Sequence, residues 1–231
     1  MDDVAAPQLL PSRVTVLVTG ATGYLGGRLV PEMLAAGHRV KVLARDAGRL
    51  AEVPWRGDVE VVEGDLGDAG DTDRALRPDG APDDPAGDVD VLFYLVHSMG
   101  ASGDFETTEL DMARSVAREA RRAGVRRIVY LGGLHPDGVE LSAHMRSRTA
   151  VGEALLASGV PTIVYQAGVV IGSGSASFEM IRHLTENLPV MPAPAWVRNR
   201  IEPIAVRDVL HYLVGAVRVP LDVSRHFDLG S

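Results

Sequence analysis

The sequence predicts an α/β fold, a doubly wound parallel sheet with helices on both faces, and two regularities carry that prediction. Short runs rich in β-branched residues alternate with longer stretches of helical periodicity, the order expected of repeated strand, helix, strand units. Most of the short runs are apolar along their whole length, as strands covered on both faces must be. In chain order the strands are expected at Val14 to Thr19, Arg39 to Ala44, Val59 to Glu63, Val89 to Val96, Arg127 to Leu131 and Thr162 to Gln166. Helices are expected at Tyr24 to Ala36, Phe105 to Ala123 and Ala143 to Ser158, stopped by Gly37, Gly124 and Gly159. Pro31 falls inside the first helix and predicts a kink there.

Two segments depart from the rhythm. From Asp58 to Asp90 there are twelve acidic residues against two basic ones, and Arg77 to Asp88, "RPDGAPDDPAGD", reads as a mobile surface loop. After Gly168, "GVVIGSGSASFEMIRHL" reads as a Gly/Ser loop followed by a helix, and "LPVMPAPAWVRNR" as irregular. No linker long enough to separate two domains is evident. One domain over 14–231 is therefore expected, preceded by an N-terminal extension over 1–13, with 168–231 forming a substrate-side cover.

With 231 residues, 46% of them hydrophobic, the chain can bury a substantial core. A net charge of −8 argues against nucleic acid or an anionic membrane as partner. Apolar runs such as "VLFYLV" fall well short of the roughly 18 residues a membrane helix needs, and the acidic start lacks the order of a signal peptide, so a cytoplasmic location is expected. The chain has no cysteine, and no Walker loop, Gly-x-Ser-x-Gly elbow, zincin motif or metal-spaced histidine cluster appears. Hydrolase, kinase and metalloenzyme readings have no support, and no metal ligands are expected.

The first predicted strand runs straight into "TGATGYLG". Gly20, Gly23 and Gly26 let the backbone turn tightly and approach a pyrophosphate, and the following helix offers free N–H groups and a favourable dipole. The loop Gly20, Ala21, Thr22, Gly23, Tyr24, Leu25, Gly26 is thus a dinucleotide site in outline, within a Rossmann-like arrangement. At the end of the second strand, "VLARD" places Arg45 where a 2′-phosphate would lie, which favours NADP(H). NAD(H) is the alternative, with Asp46 meeting the ribose. At the end of the third, "EGDL" places Asp65 and Leu66 beside the adenine.

These motifs, with "VDVLFYLVHSM", "AGVRRIVYLGGL" and "SGVPTIVYQAGVVIG", resemble an atypical short-chain dehydrogenase/reductase of the NAD(P)H-binding type that includes the nitrogen-metabolite-repression regulators. Later stretches are similar to a bacterial subgroup of NAD(P)-binding proteins. Members of that subgroup run past a closing strand, whereas this chain stops at "FDLGS", so a C-terminal truncation is expected. The resemblance adds Val96, Arg148, Ala167 and Gly168 to the cofactor contacts.

The resemblance also implies a catalytic set: a serine after the fifth strand, and on the next helix a tyrosine for proton transfer and a lysine for the nicotinamide ribose. Here Gly132 and Gly133 stand where the serine is usual, and His144 and Arg148 replace the pair. Residues four apart share a helix face, so the geometry survives the exchange. Histidine titrates near neutral pH and is a competent general acid or base. His97, with Ser98, is a candidate to replace the missing hydroxyl, and Arg146 is expected to face solvent. Gly172 to Ser175 offers a backbone cup over the ligand, while Glu179 and Arg182, three apart, are spaced to pair with each other. Two functions follow: an NADP(H)-dependent oxidoreductase acting on a small apolar carbonyl or alcohol, or an NAD(P)(H)-binding redox sensor, regulator or assembly factor without turnover. The partner is a small-molecule substrate or none.

Overall fold

A computed structural model describes residues 7–77, 88–96, 105–135, 141–175, 178–179, 182–183, 186 and 202–230. The elements are β1 (Thr15–Thr19), α1 (Gly26–Ala35), β2 (Arg39–Ala44), β3 (Glu60–Glu63), α2 (Ala69–Leu76), β4 (Val91–Tyr94), α3 (Phe105–Arg122), β5 (Arg127–Gly133), α4 (Ala143–Leu156), β6 (Thr162–Ala167), β7 (Val170–Ile171), β8 (Ile204–Ala205), α5 (Val206–Gly215) and β9 (Arg225–Leu229).

Seven strands form one sheet in the order β3-β2-β1-β4-β5-β6-β9, and every neighbouring pair is parallel. The order reverses direction between β1 and β4, which opens a crevice beyond the carboxyl ends of those strands. Side-chain alternation splits the core in two. Val16, Val18, Val42 and Phe93 pack with Leu29 and Met33 of α1 and Val209 and Leu213 of α5. Leu17, Leu92, Tyr130 and Val164 face Leu76 of α2, Val116 of α3 and Leu155 of α4 on the opposite side. The predicted doubly wound sheet is therefore what the chain forms.

The predicted strands agree with the observed ones to within a residue or two at most ends, and all three predicted terminating glycines have positive φ. The first helix starts at Gly26 rather than Tyr24 and runs on through Pro31 to Ala35. Residues 78–87, most of the expected surface loop, lie outside the described residues. Its two ends are held together: buried Lys41 donates through Nζ to the Arg77 carbonyl (2.5 Å) and to Asp88 Oδ1 (3.1 Å), and it also pairs with Glu60 (3.0 Å). Residues 187–201 lie outside the described residues as well.

After β6 the chain makes the small parallel pair β7-β8, with Val170 opposite Ile204. Gly168 permits it, because a Cβ there would overlap the Glu202 carbonyl. At the other end of the chain, Leu10 is buried in the core shared by α1 and α5, and the Gln8 carbonyl accepts from Leu221 N (2.8 Å). Among the described residues no helix is long and apolar enough to cross a membrane.

Candidate active site

The glycine loop sits at the point where the strand order reverses. Thr19 Oγ1 donates to the Phe93 carbonyl (2.9 Å) and accepts from Leu95 N (3.1 Å), which locks the end of β1 to the end of β4. Gly20 then turns with φ +73°, and a Cβ on it would lie 2.7 Å from the Leu95 carbonyl oxygen. Gly23 N closes the turn onto the Gly20 carbonyl (2.9 Å). Helix α1 begins beside this turn with no side-chain cap and no acidic residue in its first turn, so its N-terminal dipole is left for a ligand to satisfy. A Cβ on Gly26 would fill the cradle, lying 2.7 Å from the Gly20 carbonyl carbon. Ala21 is buried beneath the loop, Thr22 and Gly23 are exposed, and Tyr24 and Leu25 are half-buried. This cradle fits a dinucleotide pyrophosphate.

Next along the crevice, Arg45 is exposed at the end of β2 and has no hydrogen-bond or ion-pair partner among the described residues. Asp46 is engaged: its Oδ1 accepts from Gly48 N (2.9 Å) and caps a short 3-10 turn over Ala47–Leu50. Beyond β3, Asp65 accepts from Gly67 N (2.8 Å) while its own N–H donates to Asp71 Oδ2 (2.8 Å). That backbone donor, more than the neighbouring Arg74, holds the Asp71 carboxyl below its ordinary range. Leu66 is buried against α2, and Val96 is half-buried beyond β4. His97 and Ser98 lie outside the described residues.

The carboxyl end of β5 meets the first turns of α4. Ser142 caps the helix by accepting from Met145 N (3.3 Å), and Ser147 ties it to α3 through a buried 2.5 Å bond to Glu109 Oε2. Arg148 turns inward and donates through Nη2 to the Leu131 carbonyl (3.0 Å). Its Nε is buried without a hydrogen-bond partner among the described residues, and a Cβ on Gly133 would lie 3.6 Å from it. Such a buried N–H without an acceptor is uncommon, and it lies at the carboxyl end of β5, the end of the sheet where ligands bind in this fold. His144, one turn earlier, is exposed.

Three details here escape sequence reasoning. Met145 packs against Gly133, so that a Cβ there would lie 2.8 Å from Met145 Cε; a thioether stands where a hydroxyl would project. Tyr130, the tyrosine beside α4, is no proton carrier, because its hydroxyl donates to the Arg148 carbonyl (3.2 Å) and burial pushes its pKa up to about 12. Arg146 faces solvent as expected, and from that exposed position it also pairs with Glu106 of α3 (3.2 Å) and donates to the Leu141 carbonyl, because α3 packs alongside.

At the end of β6, Ala167 is buried and its carbonyl accepts from Leu134 N (2.8 Å), extending the β5-β6 pairing past the glycines. This brings His135 beside Gln166, with ring Nε2 and amide Nε2 3.5 Å apart. Sequence reasoning also passed over that pair; a histidine at a strand's carboxyl end was the available signal. The Gly172 to Ser175 turn approaches the glycine loop. Arg28 lies 4.0 Å over the Tyr24 ring and donates to the Ser173 carbonyl (2.9 Å). Glu179 accepts from Gly174 N (3.1 Å) and pairs with Arg182 (2.7 Å), as their spacing suggested.

A family model described as NAD(P)H-binding matches residues 20–159, which take in the cradle, the Arg45 and Asp65 strand ends and both first turns of α4. The chain belongs to the NAD(P)H-binding, atypical short-chain dehydrogenase/reductase family. Within that family it is 32% identical over 215 residues to a ceramide reductase of Caulobacter vibrioides, covering 91% of this chain and 63% of that protein. It is 33% identical to sterol demethylase protein B of Methylococcus capsulatus, covering 54% of this chain and 38% of that protein. The chain thus spans less than two thirds of these relatives' lengths. Among solved structures, MoeE5 in complex with UDP-glucose and NAD superposes with a TM-score of 0.73 at 21% identity, covering 94% of this chain and 76% of that one, a likeness of fold.

Proposed function

We propose that the chain is an NADP(H)-dependent oxidoreductase of the short-chain family, acting on a small apolar carbonyl or alcohol. The observation that carries this reading is the glycine cradle at the carboxyl end of β1, with Arg148 turned in onto the Leu131 carbonyl at the carboxyl end of β5 in the same parallel sheet. A nicotinamide, when bound, supplies or accepts the hydride. The chain's own part is to hold and orient. The cradle's N–H groups and helix dipole take the pyrophosphate, Arg45 takes a 2′-phosphate, and Asp65, Leu66, Val96, Ala167 and Gly168 line the path between. Arg148 steadies the ribose, and His144 exchanges a proton with the substrate oxygen. Reductase names among the relatives support the reaction class, including the (4-alkanoyl-5-oxo-2,5-dihydrofuran-3-yl)methyl phosphate reductase of Streptomyces griseus, 36% identical over 147 residues.

Fluorescence titration tests the cofactor assignment. Arg45→Ala is expected to weaken NADPH binding at least about tenfold, the loss of one charge-assisted phosphate contact, and to leave NADH binding nearly unchanged. Equal losses for both would remove the NADP(H) preference. For the proton, His144→Ala should lower carbonyl-dependent NADPH oxidation by roughly 10²-fold while NADPH still binds, and an unimpaired rate would exclude His144 from that role. A second reading, binding without turnover as a redox sensor, regulator or assembly factor, is favoured by Met145 filling the space beside Gly133. It predicts saturable NADPH binding and no NADPH oxidation with any carbonyl offered.

A further inference from the structure

Adding a hydride to a carbonyl carbon leaves negative charge on its oxygen, and in a dry crevice that charge needs preorganised donors. Gly132 and Gly133 bring no side chain, and Met145, packed against Gly133, brings a thioether that cannot donate. Arg148 directs Nη2 to the Leu131 carbonyl. The next polar groups outward along β5 and β6 are His135 and Gln166. Gln166 pairs in register with Gly132, so its side chain leaves the sheet beside the glycines. The Leu134 N to Ala167 O bond fixes the backbone immediately before His135. Both residues are half-buried, at the carboxyl ends of β5 and β6.

The contact between them links the ring's tautomer to the orientation of the amide. With the Gln166 amide nitrogen turned to the ring, as it stands 3.5 Å from His135 Nε2, the NH2 group donates and His135 Nε2 accepts. In that tautomer the ring's hydrogen sits on Nδ1. The distance is at the long end of the hydrogen-bond range, as is usual at catalytic sites before substrate tightens them.

We propose that His135 donates its Nδ1–H to the substrate oxygen, the contact the two glycines cannot make, and that Gln166 is the positioning residue that sets the ring's tautomer. The assignment rests on the oxidoreductase reading and adds to His144: His144 delivers the proton, and His135 keeps its own while stabilising the oxygen as charge builds. A donor of this kind is worth about 10²- to 10³-fold in kcat.

The test uses the full chain with acetophenone, cyclohexanone and decanal as probe carbonyls, and three readouts. Histidine ring-nitrogen NMR of the ligand-free protein should show the His135 hydrogen on Nδ1, and Gln166→Leu should move it toward Nε2; an Nε2–H ring in the wild type, or no change in the variant, overturns the positioning role. NADPH titration should give affinities within about twofold of wild type for His135→Ala and Gln166→Leu, since neither side chain is assigned to the cofactor; a larger loss would make the pair part of the cofactor site instead. Turnover should fall about 10²-fold in kcat for His135→Ala, recover at least tenfold in His135→Asn, whose amide can donate, and fall about tenfold in Gln166→Leu with KM unchanged. Wild-type kcat in His135→Ala overturns this assignment and leaves the oxidoreductase reading standing. NADPH binding without oxidation by any of the three probes in the wild type overturns that reading, and the assignment with it.

Discussion

Replacing Arg127 by methionine is expected to destabilise the protein by about 4 kcal/mol, close to half of what a domain of this kind has to lose. Arg127 opens β5 and is fully buried. Its guanidinium donates to the carbonyls of Ala216 (2.9 Å), Val219 (2.7 Å) and Pro220 (2.6 Å), which close α5 and lead the chain toward β9. Burial pulls its pKa below the usual arginine value, with Tyr165 and Asp222 opposing that pull, yet an arginine stays charged at any working pH. Methionine keeps the length and adds apolar surface, but it strands three carbonyls in a place only partly open to water. Each unsatisfied group costs about 1–3 kcal/mol, and the buried thioether returns about 1.5–3. Urea denaturation should show the midpoint fall by roughly 2 M, given an m-value near 2 kcal/mol/M. Hydrogen exchange should show α5 and β9 loosening first, because they lose the anchor. A loss under about 1 kcal/mol would mean that water reaches all three carbonyls and that the buried charge is dispensable.

The contrast between Arg127 and the glycine loop bears on what a sequence makes legible. Everything decided within a dozen residues could be read: the strand, the glycine spacing, the helix after it, and Arg45 at the next strand's end. The helix α2 could not, because its inward face is only Thr72, Ala75 and Leu76 and its start is set by Asp68, whose side chain accepts from Gly70 N and Asp71 N inside an acidic stretch. Contacts made across the sheet were equally hidden. Arg127 meets carbonyls some ninety residues away, and nothing near it in sequence marks it as buried. Helical spacing places Arg146 in solvent, where it stands, but says nothing of its pairing with Glu106 on the neighbouring helix. At the catalytic end, the substitution of His144 and Arg148 was legible as a pattern. That Met145 fills the space beside Gly133, and that His135 stands beside Gln166, depends on how β5, β6 and α4 converge.

The cradle itself predicts the largest effect on binding. Gly26→Ala is expected to weaken NADPH at least about 10²-fold with the fold intact, the affinity change equivalent to roughly 2.7 kcal/mol. The added methyl would overlap the Gly20 carbonyl oxygen and lie 2.7 Å from its carbon and 3.0 Å from Ala21 Cα. All of these are backbone atoms, so no rotamer change relieves the clash, and the loop must move away from α1. That gap is where a pyrophosphate would take the loop's N–H groups and the helix dipole together, and a displaced loop offers neither in register. Gly37→Ala separates this effect from ordinary glycine strain. Gly37 has φ +87°, so an alanine there costs about 1–2 kcal/mol of stability. Its Cβ would meet nothing within 4 Å, at the far end of the same helix. The two variants should therefore dissociate: thermal unfolding falls for Gly37→Ala with NADPH affinity within about twofold of wild type, while Gly26→Ala keeps its far-ultraviolet circular dichroism and loses the cofactor. NADPH bound by Gly26→Ala at wild-type affinity would separate the glycine turn from the dinucleotide altogether. The reading of the crevice from Arg45 to Arg148 would then lose its anchor, since each of those contacts is placed by where the pyrophosphate sits.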